Sequence, residues 1–190
     1  MTDFLPLPCA LLLIDLQRAI DARYWGPRNN PRAEDNVAAV LAAWRGRGWP
    51  VVHVRHDSRQ AGSAYRPGLE SHAFKPQAQP RAGETVVPKQ AHSAFVATDL
   101  DRRLKARGIA SLCVCGVITD NSVEATVRHG ADLGWPIALI EDACFTVDRR
   151  LRDGRIVAAA DMHERALALL EGEYAAIATT AQALDWVAAA

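Results

Sequence analysis

What most limits the fold available to this chain is the short apolar run from Ala110 to Cys115, which lacks the alternation of a strand with one wet face. A run of that kind reads as a central strand of a parallel sheet, covered on both sides by helices. Gly116 is read as its end. Beyond it Thr119, Asp120 and Asn121 all suit a helix N-cap, and Asn121 with Glu124 has capping-box spacing, so a helix is expected at or just before Ser122. A serine there lies among free backbone N–H groups at the positive end of a helix dipole, where a developing anion is favoured. An ordinary capping serine occupies the same kind of place, so the junction alone assigns no chemistry.

The remaining chain can be laid out around that junction. Cys9 to Ile14 is a second continuous apolar run, ending at Asp15. Val37, Val40, Leu41 and Trp44 form a helical stripe that Gly46 and Gly48 stop, and Pro50 leads into a strand from Val51 to His56. Strand, helix and strand at that spacing make a right-handed βαβ unit and hence an α/β fold. A strand from Glu84 to Pro88 ends at Lys89, and a helix capped by Thr98 turns Leu100, Leu104 and Ile109 inward. After the junction, Val123, Thr126, Val127, Gly130 and Ala131 are a stripe of small residues suited to close packing on a sheet, stopped by Gly134. Pro136 to Ile140 is a strand, and Ile156, Ala159, Ala160, His163, Leu167 and Leu170 mark a long helix from near Gly154. His163 lies on that apolar stripe and is read as a hydrogen-bonded core histidine. Tyr174 to Ala178 and Ala181 to Val187 supply a last strand and helix, which brings the strands to six.

Two segments are irregular. Asp21 to Arg32 is a loop whose Tyr24 and Trp25 either wall a pocket or cover the core. From Asp57 to Gly83 no periodicity is sustained, and a loop so long in a compact domain is read as a lid or wall over a site, with Tyr65 and Phe74 as apolar contacts. The alternative is an arm that touches another subunit.

Composition narrows the function. The 190 residues fit a single domain, 1–190, and 22 basic against 22 acidic residues give no field for nucleic acid or an anionic membrane. Met1 to Pro8 carries Asp3 and two prolines before a short apolar run, neither a signal peptide nor a span, so a cytoplasmic protein is expected. Cys9, Cys113, Cys115 and Cys144 lack CxxC spacing and are read as buried free thiols. Against these bland readings stands one coincidence. Asp15, Lys89 and Ser122 each follow a different strand, and the C-terminal ends of parallel strands are where ligands bind.

Several stretches together resemble the isochorismatase-like hydrolases, also called the cysteine hydrolase superfamily. They are Leu11-Leu12-Leu13-Ile14-Asp15-Leu16-Gln17, Lys89 with Ser93-Ala94-Phe95, Thr98-Asp99-Leu100, Gly116-Val117-Ile118-Thr119-Asp120, Val123-Glu124-Ala125-Thr126-Val127-Arg128 and Asp142-Ala143. The likeness covers nearly the whole chain and lies in the order and spacing of these pieces. It implies a three-layer α/β/α sandwich with a six-stranded parallel sheet, assembled as a homodimer or homotetramer. It further implies an Asp, Lys, Cys triad attacking amide or similar C–N bonds, with Asp15 as the base and Lys89 as the lysine. A cis peptide joining Val117 to Ile118 is also implied, aiming the N–H groups of Ile118 and Ser122 at an oxyanion.

This chain departs from the family at the nucleophile, where Ser122 takes the place of the cysteine. A hydroxyl is a far weaker acid than a thiol of pKa ~8.5 and depends on a base in the transition state. Three readings follow. Ser122 attacks a carbonyl, with Asp15 or a deprotonated Lys89 taking its proton; or Asp15 protonates a vinyl ether with no covalent intermediate; or the pocket binds without turning over. Cys115, within a strand, and Cys144, after a different one, are poor substitutes for the thiol. Gln17, Trp25, Phe74 and Thr119 are expected on the pocket wall, around a small-molecule substrate. Neither metal nor other cofactor is expected, because Val54-Arg55-His56-Asp57-Ser58 reverses the Asp-x-His order of the metal-binding relatives.

Overall fold

The computed structural model describes residues 5–190. The N-terminal stretch 1–8, expected to hold neither leader nor span, lies half outside them. Among the described residues no helix is long and apolar enough to cross a membrane.

The fold is built on β1 (Cys9–Ile14), buried at every residue as its unbroken apolar sequence requires. It pairs in parallel with β2 (Val51–His56) on one side and β4 (Ser111–Val117) on the other. β3 (Thr85–Lys89) extends the sheet beyond β2, while β5 (Ile137–Phe145) and β8 (Ala176–Ala178) extend it beyond β4. The six strands run in the order β3-β2-β1-β4-β5-β8, all parallel. α1 (Ala33–Gly46) packs with α5 (Thr180–Ala189) on the sheet, and α3 (Glu124–Asp132) packs with α4 (Ala159–Leu170). A shorter helix, α2 (Leu100–Ala106), buries Leu100 and Leu104. The expected sandwich is therefore the observed one.

Its packing follows the sequence stripes. α1 buries Val37, Val40, Leu41 and Trp44, and the Trp44 indole meets Trp49 at 5.5 Å and Trp186 at 5.7 Å, welding α1 to α5. In α3 the small residues matter most at Gly130, where a Cβ would stand 2.9 Å from Ile137 Cδ1 and 3.0 Å from Phe95 Cε2. A methyl here would have to push the Ile137 and Phe95 side chains aside, so the glycine eases the close fit of this helix.

Three local expectations are corrected. Gly116 does not end its strand: β4 runs on to Val117, and Gly116, at φ +130°, lies against β1 where a Cβ would come within 2.2 Å of the Ile14 carbonyl oxygen. The glycine serves close approach of two strands rather than a turn. The capping box at Asn121 and Glu124 is absent. Residues Thr119–Val123 form a wide turn kinked at Asp120 (φ −82°, ψ 18°) before α3, closed by the Val123 amide donating to the Ile118 carbonyl at 3.2 Å, and the Glu124 carboxylate instead accepts from Arg128 Nε at 2.9 Å, one turn ahead. Ile156 does not open α4. It belongs to β7 (Ile156–Val157), which pairs antiparallel with β6 (Arg149–Arg150) in a small hairpin, and its side chain is exposed, as is Ala160.

Candidate active site

The chain passes outward from β1 through β2 to β3, then returns to β4 on the far side of β1. That reversal makes the C-terminal ends of β1 and β4 a switch point, where the crossovers diverge to opposite faces and leave a crevice. Asp15 follows β1 immediately, Ser122 lies in the turn after β4, and Lys89 is the last residue of β3. The three strand tips do meet. Lys89 Nζ donates to Asp15 Oδ2 at 2.7 Å, to the Ala91 carbonyl at 3.0 Å, and lies 3.3 Å from Ser122 Oγ. Three partners match the three hydrogens of an ammonium. All three residues are buried, and Asp15 Oδ1 has no hydrogen-bond partner among the described residues.

Backbone geometry aims these groups. Asp15 takes the left-handed conformation (φ 52°), and its amide donates to the Val54 carbonyl at 3.0 Å. The peptide between Val117 and Ile118 is cis, as the resemblance implied. The turn bearing Ser122 is clamped from outside by Asp120, whose carboxylate takes Arg149 Nε at 2.9 Å and Nη2 at 3.1 Å and the Thr146 hydroxyl. From within, the buried Thr119 hydroxyl pairs with His163 Nδ1 at 2.9 Å. His163 is thus the hydrogen-bonded core histidine expected, and burial holds it below the usual histidine range.

A cavity of about 420 Å³ opens over this cluster. Asp15, Ser122, Ile118 and Asn121 form its head, and Trp25, Tyr65 and His56 are among its walls. Residues 58–65 of the long loop do wall the cavity, with Ser58, Gln60, Gly62 and Ser63 on its lining. Tyr65 is held by an edge contact with Trp25 at 6.4 Å and by its hydroxyl, which donates to the Asp15 carbonyl at 3.4 Å.

Residues 9–182 match the isochorismatase domain model. The chain belongs to the isochorismatase family. It is 35% identical over 176 residues, 93% of this chain and 94% of the other, to the isochorismatase family protein YrdC of Bacillus subtilis (strain 168), itself uncharacterized. Over 90 residues, 47% of this chain and 40% of the other, it is 39% identical to the ureidoacrylate amidohydrolase RutB of Azorhizobium caulinodans. Among solved structures, an isochorismatase family protein from Chromobacterium violaceum ATCC 12472 superposes with a TM-score of 0.94 at 47% identity, over 100% of both chains. This chain is accordingly an isochorismatase-family hydrolase.

Of the wall residues expected in this isochorismatase-family chain, Trp25 borders the cavity but Gln17, Phe74 and Thr119 do not. Gln17 is fully buried, its amide donating to the carbonyls of His56 at 3.2 Å and His72 at 2.9 Å while its oxygen takes the His56 amide at 2.7 Å. It fastens the long loop to β2, with both amide hydrogens engaged and the side chain shut away from the cavity. Phe74 lies edge-on to His53 at 5.7 Å, and its backbone bridges to Gln17. Thr119 is spent on His163. His56, His92 and Asn121 line the cavity and were not expected there. His56 ends a strand beside Asp15, so the rule that found Asp15 could have found it.

The four cysteines are buried and free. Burial pushes the thiols of Cys9 and Cys115 up to about 12 and raises those of Cys113 and Cys144 as well, so none supplies a thiolate. Asp57 accepts from Arg55 Nε at 2.8 Å and pairs with His72 Nε2 at 2.8 Å, and among the described residues no three His, Cys, Asp or Glu side chains are grouped to hold a metal.

Proposed function

We propose that this protein hydrolyses an amide or ureido C–N bond of a small molecule, with Ser122 as nucleophile and Asp15 and Lys89 as its proton relay. The observation that carries the reading is Lys89 Nζ standing between Asp15 Oδ2 and Ser122 Oγ, 2.7 and 3.3 Å away, at the head of a cavity. As Oγ attacks the carbonyl carbon, its proton passes to Nζ while Nζ gives one to Asp15. The backbone N–H groups of Ile118 and Ser122, at the cavity wall, receive the oxyanion. Asp15, now a carboxylic acid, protonates the departing nitrogen, the C–N bond breaks, and the acyl group stays on Oγ. Water then gives a proton to Asp15 and attacks the acyl carbon, and Oγ recovers its proton through Lys89.

That RutB is an amidohydrolase supports a C–N bond over a vinyl ether. The same reading takes the chain as one hydrolase domain, acting in the cytoplasm as a homodimer or homotetramer without a cofactor. A panel of small amides and ureides tests it on the wild type and on Ser122→Cys. Turnover by the wild type is expected, and failure of both proteins on the whole panel would overturn the assignment.

A further inference from the structure

The cavity carries its own statement about charge. Among the described residues that line it, Asp15 is the one Asp or Glu, and there is no lysine or arginine. Lys89 lies just beneath, but its three donors are already engaged by Asp15, Ala91 and Ser122. Burial holds His56 below the usual histidine range, which disfavours a charged imidazole there, and His92 sits at the exposed rim. A carboxylate entering this space would shed water beside Asp15 with no lysine or arginine in the lining to meet it, and with Lys89 already paired.

The walls favour a different guest. Trp25 stacks at a tilt on Tyr24, ring centres 5.0 Å apart, and meets Tyr65 edge-on, while Tyr65 in turn meets the His56 ring at 5.6 Å. These rings make an aromatic wall whose members hold one another in place, and such a surface gains most from a flat ring laid against it. Asn121, next to Ser122, adds an uncharged donor and acceptor at the reacting end.

We propose that the substrate is an uncharged compound with a flat ring, its ring against Trp25 and its amide or ureido group at Ser122. The orientation rests on the function proposed above; the choice of ring and of charge rests on the cavity alone. Binding to the Ser122→Ala protein, measured by isothermal titration calorimetry, separates the two. The probes are benzamide against isobutyramide for the ring, and 4-methylbenzamide against 4-carbamoylbenzoate for charge at nearly equal size.

Benzamide and 4-methylbenzamide should each bind at least tenfold more tightly than their counterparts. Trp25→Ala, added to Ser122→Ala, should erase the ring preference, and Trp25→Phe should keep most of it. Equal or tighter binding of 4-carbamoylbenzoate, binding of none of the probes, or a ring preference that survives Trp25→Ala would overturn the proposal. If the preferences hold while the wild type leaves the bound amides intact, the substrate class stands and the hydrolytic mechanism falls.

Discussion

Lys89 Nζ lies 2.7 Å from Asp15 Oδ2 with both side chains almost wholly shut off from water, at 0% and 5% exposure. Neither charge can be left there alone. Truncating one partner of a buried ion pair strands the other and costs about 3–5 kcal/mol. Lys89→Met is expected to lose stability on that scale by urea unfolding, and Asp15→Asn combined with Lys89→Met to lose less than the two single changes summed. Additive losses would show that the two groups do not depend on each other.

Ser122→Ala should lower kcat on any substrate found by about a thousandfold or more, because the covalent route is closed. Mass spectrometry after rapid quenching should find the substrate's acyl group on the peptide containing Ser122. Hydrolysis undiminished by Ser122→Ala would assign the chemistry to Asp15 alone.

Asp120 holds the turn of Ser122 through the two contacts from Arg149, 2.9 and 3.1 Å long. A displacement of the nucleophile by about 1 Å can cost on the order of 100-fold in rate. Arg149→Ala should therefore reduce kcat well before it changes KM, and Arg149→Lys should recover part of the loss. A change confined to KM would count against the clamp.

A methyl group at position 116 would have to occupy space 2.2 Å from the Ile14 carbonyl oxygen, at a φ of +130° that other residues rarely adopt. The strands cannot yield without parting. Gly116→Ala is expected to destabilise the protein by roughly 3 kcal/mol or more, measured by thermal or urea unfolding, whereas Gly134→Ala, with open space around its Cβ, should cost less.

Burial acts to raise the pKa of Glu34, but Arg28 and Lys75 outweigh it and bring the carboxyl from 4.5 down to about 2. A folded-state value below the unfolded one means stability that is complete above pH 4.5 and drains away as pH falls toward 2. The urea midpoint of the wild type should drop across that window. Glu34→Gln should start lower and decline less steeply, and parallel curves for the two proteins would refute the assignment.

How far the molecule could be read in advance follows from how local each signal is. Strands, helix stripes and the three strand tips were legible because buried runs, 3.6-residue periodicity and the ends of parallel strands are marked within a few residues of sequence. Gln17 was misread because its partners are distant: the His56 backbone and the His72 carbonyl lie 39 and 55 residues along the chain. Phe74 was misplaced for the same reason, since the loop's path is set by such contacts and not by any period. Gly116 looks like a stop in one dimension, and only the neighbouring strand reveals that it is a point of contact.

The reversal of the sheet at β1 divides the reacting groups unequally along the chain. A nascent polypeptide that has emerged as far as Lys89 already holds the carboxylate and the amine, yet the hydroxyl and its turn arrive only with residues 117–123. Without β4 beside β1, the earlier half has no Ser122 hydroxyl to place against that pair. A fragment cut between β3 and β4 would therefore lack part of the reacting set on either side of the cut.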